Sequence, residues 1–374
     1  MPNMMDYIAW RGDISMAYSP FNHLDSLILA ELSYLNFPLE DALLRDLDAA
    51  TPEEPEHPAF MHQTRRMLSA VSKAERFAGI RMHDLVSVID QERDMQFAAM
   101  LFDLPSGAHY VAFRGTDSTL VGWREDFNMT FESPIPAQSA AVKYLENAAA
   151  LVDGPLILGG HSKGGNLSVY AAAHADEAVQ RRIRTVYSFD GPGLDDATMV
   201  SDGYARIAKR IRSFVPQQSV VGLLMTYHPD YTVVRSTGTG IMQHDGFTWQ
   251  MLGTDFLIVT ELDVSSQVVD HTLHEWLSRI SPEKRRVFIS TTFDILEASG
   301  VSTVKELFSD VPAHLPAMLK ALQKVDSETA RMILALWRQF ISIGATNILE
   351  MIRQRITPDN NEHIQGEIKH GVEG

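Results

Sequence analysis

A serine framed by glycines carries the strongest chemical signal in this chain of 374 residues. An apolar run over 156–158 ends in glycines, and a helix-compatible run over 167–173 follows. Between them stands Gly160-x-Ser162-x-Gly164, the pattern of a nucleophile elbow, in which a sharp strand-to-helix turn exposes a serine hydroxyl. The residues two before and two after such a serine must be small because the turn is strained. The pattern predicts Ser162 as a covalent nucleophile.

A second segment that could take part in catalysis, Arg114-Gly115-Thr116-Asp117, follows a short apolar strand predicted over 109–113. A hydroxyl residue at the end of a strand that precedes the elbow is where a hydrolase of this type places an oxyanion donor. Thr116 could offer its amide and its hydroxyl for that purpose. The alternative is a capped turn in which the Thr116 hydroxyl bonds its own backbone.

The second predicted oxyanion donor is the amide of Lys163, at the start of the helix that follows the nucleophile. Its side chain has two interpretations. A lysine at the mouth of the site could attract an anionic group such as a phosphate or carboxylate. Alternatively, the ammonium is simply solvated at the beginning of the helix.

Alternating strands and helices would position these residues. An apolar helical stripe that includes Glu31 predicts helix over 22–50, and a second helix is predicted over 60–76. The alternation that follows predicts an α/β fold with a mostly parallel sheet covered by helices. The predicted strands cover 85–90, 96–102, 109–113, 156–158, 184–189, 211–216 and 231–235.

Near residue 265 the predicted strands end and helical patterns dominate, which suggests two regions. Residues 1–264 are predicted to form the α/β domain, and residues 265–374 a helical extension packed on it, with a frayed end. The last predicted helix, 327–356, has an apolar stripe that suits docking onto the main domain or a homo-oligomer contact. The other predicted helices of this region cover 266–279, 282–299, 303–309 and 313–324.

The charge and composition of the chain restrict the classes of partner it could bind. A net charge of −16 argues against nucleic acid and against electrostatic adhesion to anionic membranes. The chain has no cysteine, which fits a cytoplasmic location, and it shows neither a signal peptide nor a transmembrane stretch. No metal or organic cofactor is implied.

The segments around Thr116 and Ser162 resemble the signatures of class 3 lipases, the fungal-type α/β-hydrolases. The chain resembles still more closely the bacterial Mbeg1-like family, also labelled domain of unknown function 2974. This resemblance spans roughly residues 1–290 and implies an α/β-hydrolase fold with Ser162 as nucleophile and His244 as general base. It rests on the segments Asp25 to Phe37, Arg114 to Asp117, Gly160 to Asn166, Asp190 to Gly193 and Gln243 to Asp245.

The acid of the expected triad is left open by the resemblance. Lipases of this type carry an aspartate where this chain has Ser219, so the usual carboxylate is missing. Asp190 is the best substitute because it ends the strand after the elbow helix, at the same sheet edge. The other interpretations are that no acid exists, or that Asp245 or Asp230 supplies it.

Two functions of different class follow. The first is a serine hydrolase that cleaves a carboxylic ester, such as a lipid or acyl ester, through an acyl-enzyme on Ser162. The second is a catalytically weak or inactive hydrolase-fold protein that serves as a binding module or scaffold. The intact elbow and His244 favour the first, whereas the missing aspartate favours the second.

Overall fold

The structure of the protein, a computed structural model, describes residues 2–52, 59–116, 120–300, 311–336, 338–339 and 342. The helix predicted over 303–309 and the end predicted to fray lie outside these residues.

An eight-stranded sheet is the centre of the fold, and its strands lie side by side in chain order. The first four strands pair antiparallel, and β4 to β8 pair parallel. The strands are β1 (Ala42–Leu43), β2 (Arg81–Asp90), β3 (Met95–Asp103), β4 (His109–Phe113), β5 (Leu156–His161), β6 (Ile183–Phe189), β7 (Ile211–Pro216) and β8 (Tyr231–Val234). A separate antiparallel pair consists of β9 (Met251–Leu252) and β10 (Asp255–Phe256).

Helices cover both faces of the sheet. The alternation of side chains along β4 shows why: Tyr110 and Ala112 pack into one core, and Val111 and Phe113 pack into the other. A strand that is buried on both faces must be apolar throughout, as β4 and the start of β5 are. The predicted α/β-hydrolase fold, with a mostly parallel sheet covered by helices, is confirmed.

The first core lies under the N-terminal helices, and the second lies under the helices that follow β4, β5 and β6. In chain order the helices are α1 (Met4–Arg11), α2 (His23–Leu32), α3 (Leu44–Ala50), α4 (Ala59–Val71), α5 (Glu75–Ala78), α6 (Leu120–Asn128), α7 (Pro136–Leu151), α8 (Lys163–His174), α9 (Glu177–Arg182), α10 (Asp196–Met199), α11 (Asp202–Ile207), α12 (Val264–Ser278), α13 (Pro282–Ala298) and α14 (Val311–Leu322). Residues 327–336 are also helical.

The helix predicted over 22–50 is interrupted between α2 and α3. The Ser33 hydroxyl donates to the carbonyl of Ala30 at 2.6 Å and so competes with the continuing helix. Pro38 then follows Phe37, and a residue before proline is pushed out of helical conformation.

Helices of the C-terminal region pack on α6 through a third apolar cluster, which includes Leu120 from α6 and Phe293 from α13. Arg285 also donates to the carbonyl of Thr130 at 2.6 Å. The division into one unit over 1–264 and an extension over 265–374 stays a prediction.

Candidate active site

The carboxyl edge of the parallel strands collects the residues that the sequence singled out. Thr116 follows β4, Ser162 follows β5 and Asp190 follows β6, while Ser219 follows β7 and His244 ends a 3₁₀ turn after β8. In open α/β sheets this edge is where ligands bind.

Ser162 occupies a strained turn between β5 and α8, with φ 58° and ψ −133°. A side chain at Gly160 would come within 2.3 Å of the Gly164 carbonyl, and one at Gly164 within 2.1 Å of the Phe113 carbonyl. Both glycines are therefore required by the close approach of backbone, which is the physical reason for the glycine pattern. The local geometry is that of a nucleophile elbow.

A carboxylate meets the ring of His244. Asp190 Oδ2 lies 2.6 Å from His244 Nδ1, and the carboxylate is completely buried. An ionised carboxylate only accepts hydrogen bonds, so Nδ1 carries the proton and Nε2 keeps its lone pair. A base that takes a proton from serine needs this tautomer.

The other oxygen of Asp190 is held by the segment around Ser219, where the resemblance to lipases predicts an aspartate. Asp190 Oδ1 accepts from the Ser219 hydroxyl at 2.5 Å and from the Gly222 amide at 3.1 Å. Ser219 thus supports the carboxylate that faces His244. This geometry favours Asp190 among the alternatives for the acid.

Asp245 and Asp230 make other contacts. The Asp245 carboxylate accepts from the amide of Phe247 at 2.9 Å and caps a 3₁₀ turn. Asp230 precedes β8 and so stands at the amino end of that strand, where it lines a cavity of about 310 Å³ with Lys209 and Arg212.

The side chain of Lys163 is buried, so both sequence interpretations of it, as an anion attractor at the mouth or as a solvated group, are wrong. Its ammonium donates to Glu125 Oε2 at 2.9 Å and to the Gln96 carbonyl at 3.1 Å, with no exposed surface. The Glu125 carboxylate also accepts hydrogen bonds from the backbone amides of Gln96 and Ala137. A buried charge needs such partners, and Glu125 on α6 supplies them.

Thr116 donates its hydroxyl proton to Asp126 Oδ2 at 2.6 Å. A hydroxyl has one proton, so in this arrangement the amide of Thr116 is the group left for an oxyanion. Burial raises the pKa of Asp126 to about 6, although Lys163 and the Thr116 hydroxyl oppose that rise. The amide of Lys163, in the first turn of α8, belongs to the helix positions that lack an intrahelical partner.

A family model described as Mbeg1-like matches residues 71–294. The chain belongs to the Mbeg1-like family. The family prediction made from the sequence is thereby confirmed. A search of curated proteins finds no match.

Among solved structures, this Mbeg1-like chain is similar to lipases. M37 lipase shares 15% identity with a TM-score of 0.36, over 55% of this chain and 70% of that one. The triacylglycerol lipase from Penicillium expansum shares 14% identity with a TM-score of 0.32, over 49% and 78%. The Rhizomucor miehei lipase–propeptide complex shares 16% identity with a TM-score of 0.31, over 48% and 71%.

Sequence reasoning missed two acidic residues of this Mbeg1-like site, Glu125 and Asp126. Both lie in α6, whose segment was assigned no role in the chemistry. Lys163, next to Ser162, is buried and so needs a carboxylate partner, but only the fold shows the burial and identifies that partner. Within the described ranges, no cluster of histidine and acidic residues could hold a metal ion, and no helix could span a membrane.

Replacing Lys163 by leucine should destabilise the chain by about 3–5 kcal/mol, because Glu125 would stay buried without its counter-charge. Urea unfolding measures the loss. Adding Glu125→Gln to the same variant should recover part of it, since the unpaired charge is then removed. A cost below about 1 kcal/mol for Lys163→Leu would contradict the account of a buried ion pair.

Replacing Thr116 by valine should lower kcat by less than about tenfold, because the amide remains and the hydroxyl is occupied by Asp126. Loss of a true oxyanion donor typically costs about 10²- to 10³-fold in kcat. Ester hydrolysis by the valine variant, with Thr116→Ser as the control, measures the difference. A fall of about a hundredfold or more for valine alone would show that the hydroxyl itself binds the oxyanion.

Proposed function

We propose that this Mbeg1-like chain is a serine hydrolase that cleaves carboxylic esters through an acyl-enzyme on Ser162. The observation that carries the proposal is the 2.6 Å contact between Asp190 Oδ2 and His244 Nδ1 at the edge where the elbow presents Ser162. The expected acid was missing from its usual position, and this contact supplies a candidate. The scaffold alternative thereby loses its principal argument.

The chemistry would proceed in two halves. Ser162 Oγ attacks the ester carbonyl carbon while His244 Nε2 takes the hydroxyl proton. The carbonyl oxygen becomes an oxyanion that the amides of Thr116 and Lys163 would stabilise. His244 then gives the proton to the leaving alkoxide, and the alcohol departs.

Water enters in the second half. It attacks the acyl carbon as His244 Nε2 takes one of its protons, and the carboxylic acid leaves when Ser162 Oγ regains a proton from the imidazolium. Asp190 stabilises the imidazolium in both halves through the Nδ1 hydrogen bond. The chain's own residues therefore account for every proton that moves.

The substrate class is part of the proposal. A lipid or other acyl ester suits the nucleophile, and the lipases among the similar solved structures are consistent with it. We also place the protein in the cytoplasm, on the absence of cysteine from the sequence.

Pre-steady-state hydrolysis of p-nitrophenyl acyl esters of increasing chain length tests the function. An acyl-enzyme whose hydrolysis is slow should release a burst of p-nitrophenol equal in amount to the protein, before a slower steady rate. Dependence of the steady rate on chain length would identify the acyl group. Absence of turnover with every ester would favour the scaffold alternative.

A further inference from the structure

The residue before the nucleophile holds the backbone of the expected base. His161 Nε2 lies 2.7 Å from the main-chain carbonyl of His244. A carbonyl only accepts, so the His161 proton is on Nε2. The two imidazole rings are also neighbours, with centroids 4.6 Å apart. His161 therefore fixes the position of His244 through both its hydrogen bond and its ring.

The second nitrogen of His161 faces α2 and the turn that follows it. Nδ1 lies 3.1 Å from the Tyr34 hydroxyl and 3.5 Å from Glu31 Oε1. Burial lowers the pKa of His161 to about 3, so the ring is neutral and Nδ1 has a lone pair. The one lone pair of Nδ1 accepts the Tyr34 hydroxyl proton, and the Glu31 carboxyl group lies beside it without a hydrogen bond.

A carboxylate at Glu31 would draw a proton to His161 Nδ1, whereas a protonated carboxyl group would not. The residue is 3% exposed, and Oε1 has no hydrogen-bond partner. Burial, with a contribution from Asp245, raises the pKa of Glu31 well above its usual value. The titratable groups near it are His161 from β5 and Asp245, and Tyr34 after α2 contacts the same nitrogen of His161.

Glu31 also lies directly against the turn that carries His244. A side chain at Gly246 would come within 2.8 Å of Glu31 Oε1. The carboxyl group thus lies between the His161 ring and Gly246, two residues after His244. A change in its charge would act on both.

We propose that Glu31 and His161 are positioning residues for the expected base. Glu31, as a neutral acid, keeps the His161 proton on Nε2, and that Nε2–H holds the His244 carbonyl, so that the His244 ring stays against Asp190. The inference rests on the proposed function. It adds that α2, which lies outside the family-model match, takes part in building the site.

Ionisation of Glu31 should release this arrangement. Glu31 gives its proton to solvent, and the carboxylate then stabilises a proton from solvent on His161 Nδ1. The proton on Nε2 passes to solvent, so the ring stays neutral. The Nε2 lone pair would face the carbonyl of His244, where two acceptors repel. The turn would loosen, and the rate should fall as pH rises.

The pH dependence of labelling by a fluorophosphonate tests the inference in the full chain. For the wild type we expect the rate constant of labelling to fall by about tenfold to a hundredfold at alkaline pH. Glu31→Gln cannot ionise, so its profile should stay flat over the same range. An alkaline fall that is unchanged in Glu31→Gln, or absent from the wild type, would overturn the proposal.

Asp25 provides a matched control on the same helix. It is fully buried, but its carboxylate bonds Arg76 and Tyr7 and not His161. Asp25→Asn should lower the melting temperature and leave the alkaline fall in place. Loss of the fall in this variant would show that any damage to α2 has the same effect, and would overturn the specific role of Glu31.

His161 is tested by two substitutions. Glutamine can place an N–H where Nε2–H lies, whereas leucine cannot, so His161→Leu should label at least about tenfold more slowly than His161→Gln. Equal rates would contradict the role of the hydrogen bond to His244. If the leucine variant does not fold, the Glu31→Gln profile still decides. Failure of the proposed function is a separate result, because then the wild type would not be labelled at any pH.

Discussion

Replacing Asp190 by asparagine is expected to lower kcat/KM for an aryl ester by about 10³- to 10⁴-fold, by analogy with the corresponding change in a serine protease. Asp190 Oδ1 accepts from Ser219 and Gly222, so the asparagine oxygen should occupy that side. Its NH₂ group would then face His244 Nδ1 and force the ring proton onto Nε2. A ring in that tautomer cannot take the proton of Ser162.

Ser219 supplies the comparison for this variant. Ser219→Asp in the wild type would press a second carboxylate against Asp190, so we expect a loss of activity and not a gain. In Asp190→Asn the same change returns a carboxylate to the site, and partial recovery is expected. An unaffected Asp190→Asn, together with a Ser219→Asp variant more active than the wild type, would show that the wild type has no acid.

Replacing Ser162 by alanine should abolish labelling by a fluorophosphonate and lower ester hydrolysis by up to about 10⁶-fold, as loss of the nucleophile does in subtilisin. In the proposed mechanism the hydroxyl is the attacking group, so a site without it could only bind the ester. The melting temperature should change little, because alanine keeps the Cβ atom and the strained backbone. Hydrolysis at the wild-type rate would contradict the assignment of the nucleophile.

Ser162→Gly is the matched control for the elbow. Both variants lack the hydroxyl, but glycine adopts φ 58° and ψ −133° without the strain of about 1–3 kcal/mol that a Cβ atom imposes there. Part of that gain is offset by the greater entropy of unfolded glycine. The glycine variant should therefore unfold at a higher temperature than the alanine variant. Equal melting temperatures would contradict a strained elbow.

Local patterns predicted much of the fold. The predicted strands over 85–90 and 96–102 correspond to β2 and β3, and the glycines around Ser162 predicted the elbow because close backbone contacts allow no side chain there. The break after α2 was missed, although Pro38 signals it.

Contacts between distant segments could not be predicted with the same certainty. The strand order placed Asp190 and Ser219 at one edge, but which of them would face His244 depends on the conformation of the loop that carries His244. The burial of Lys163 depends on Glu125, 38 residues away. Glu31 did leave a signal, since it falls on the apolar stripe of α2, and a charged residue in such a stripe indicates burial with a special partner.

The mass of the intact wild-type chain after reaction with a fluorophosphonate, followed by peptide mapping, tests the central claim most directly. The elbow geometry and the Asp190–His244 contact predict one adduct per chain, on the peptide that contains Ser162. The absence of an adduct, or an adduct on another serine, would contradict the proposal that this site is a serine hydrolase.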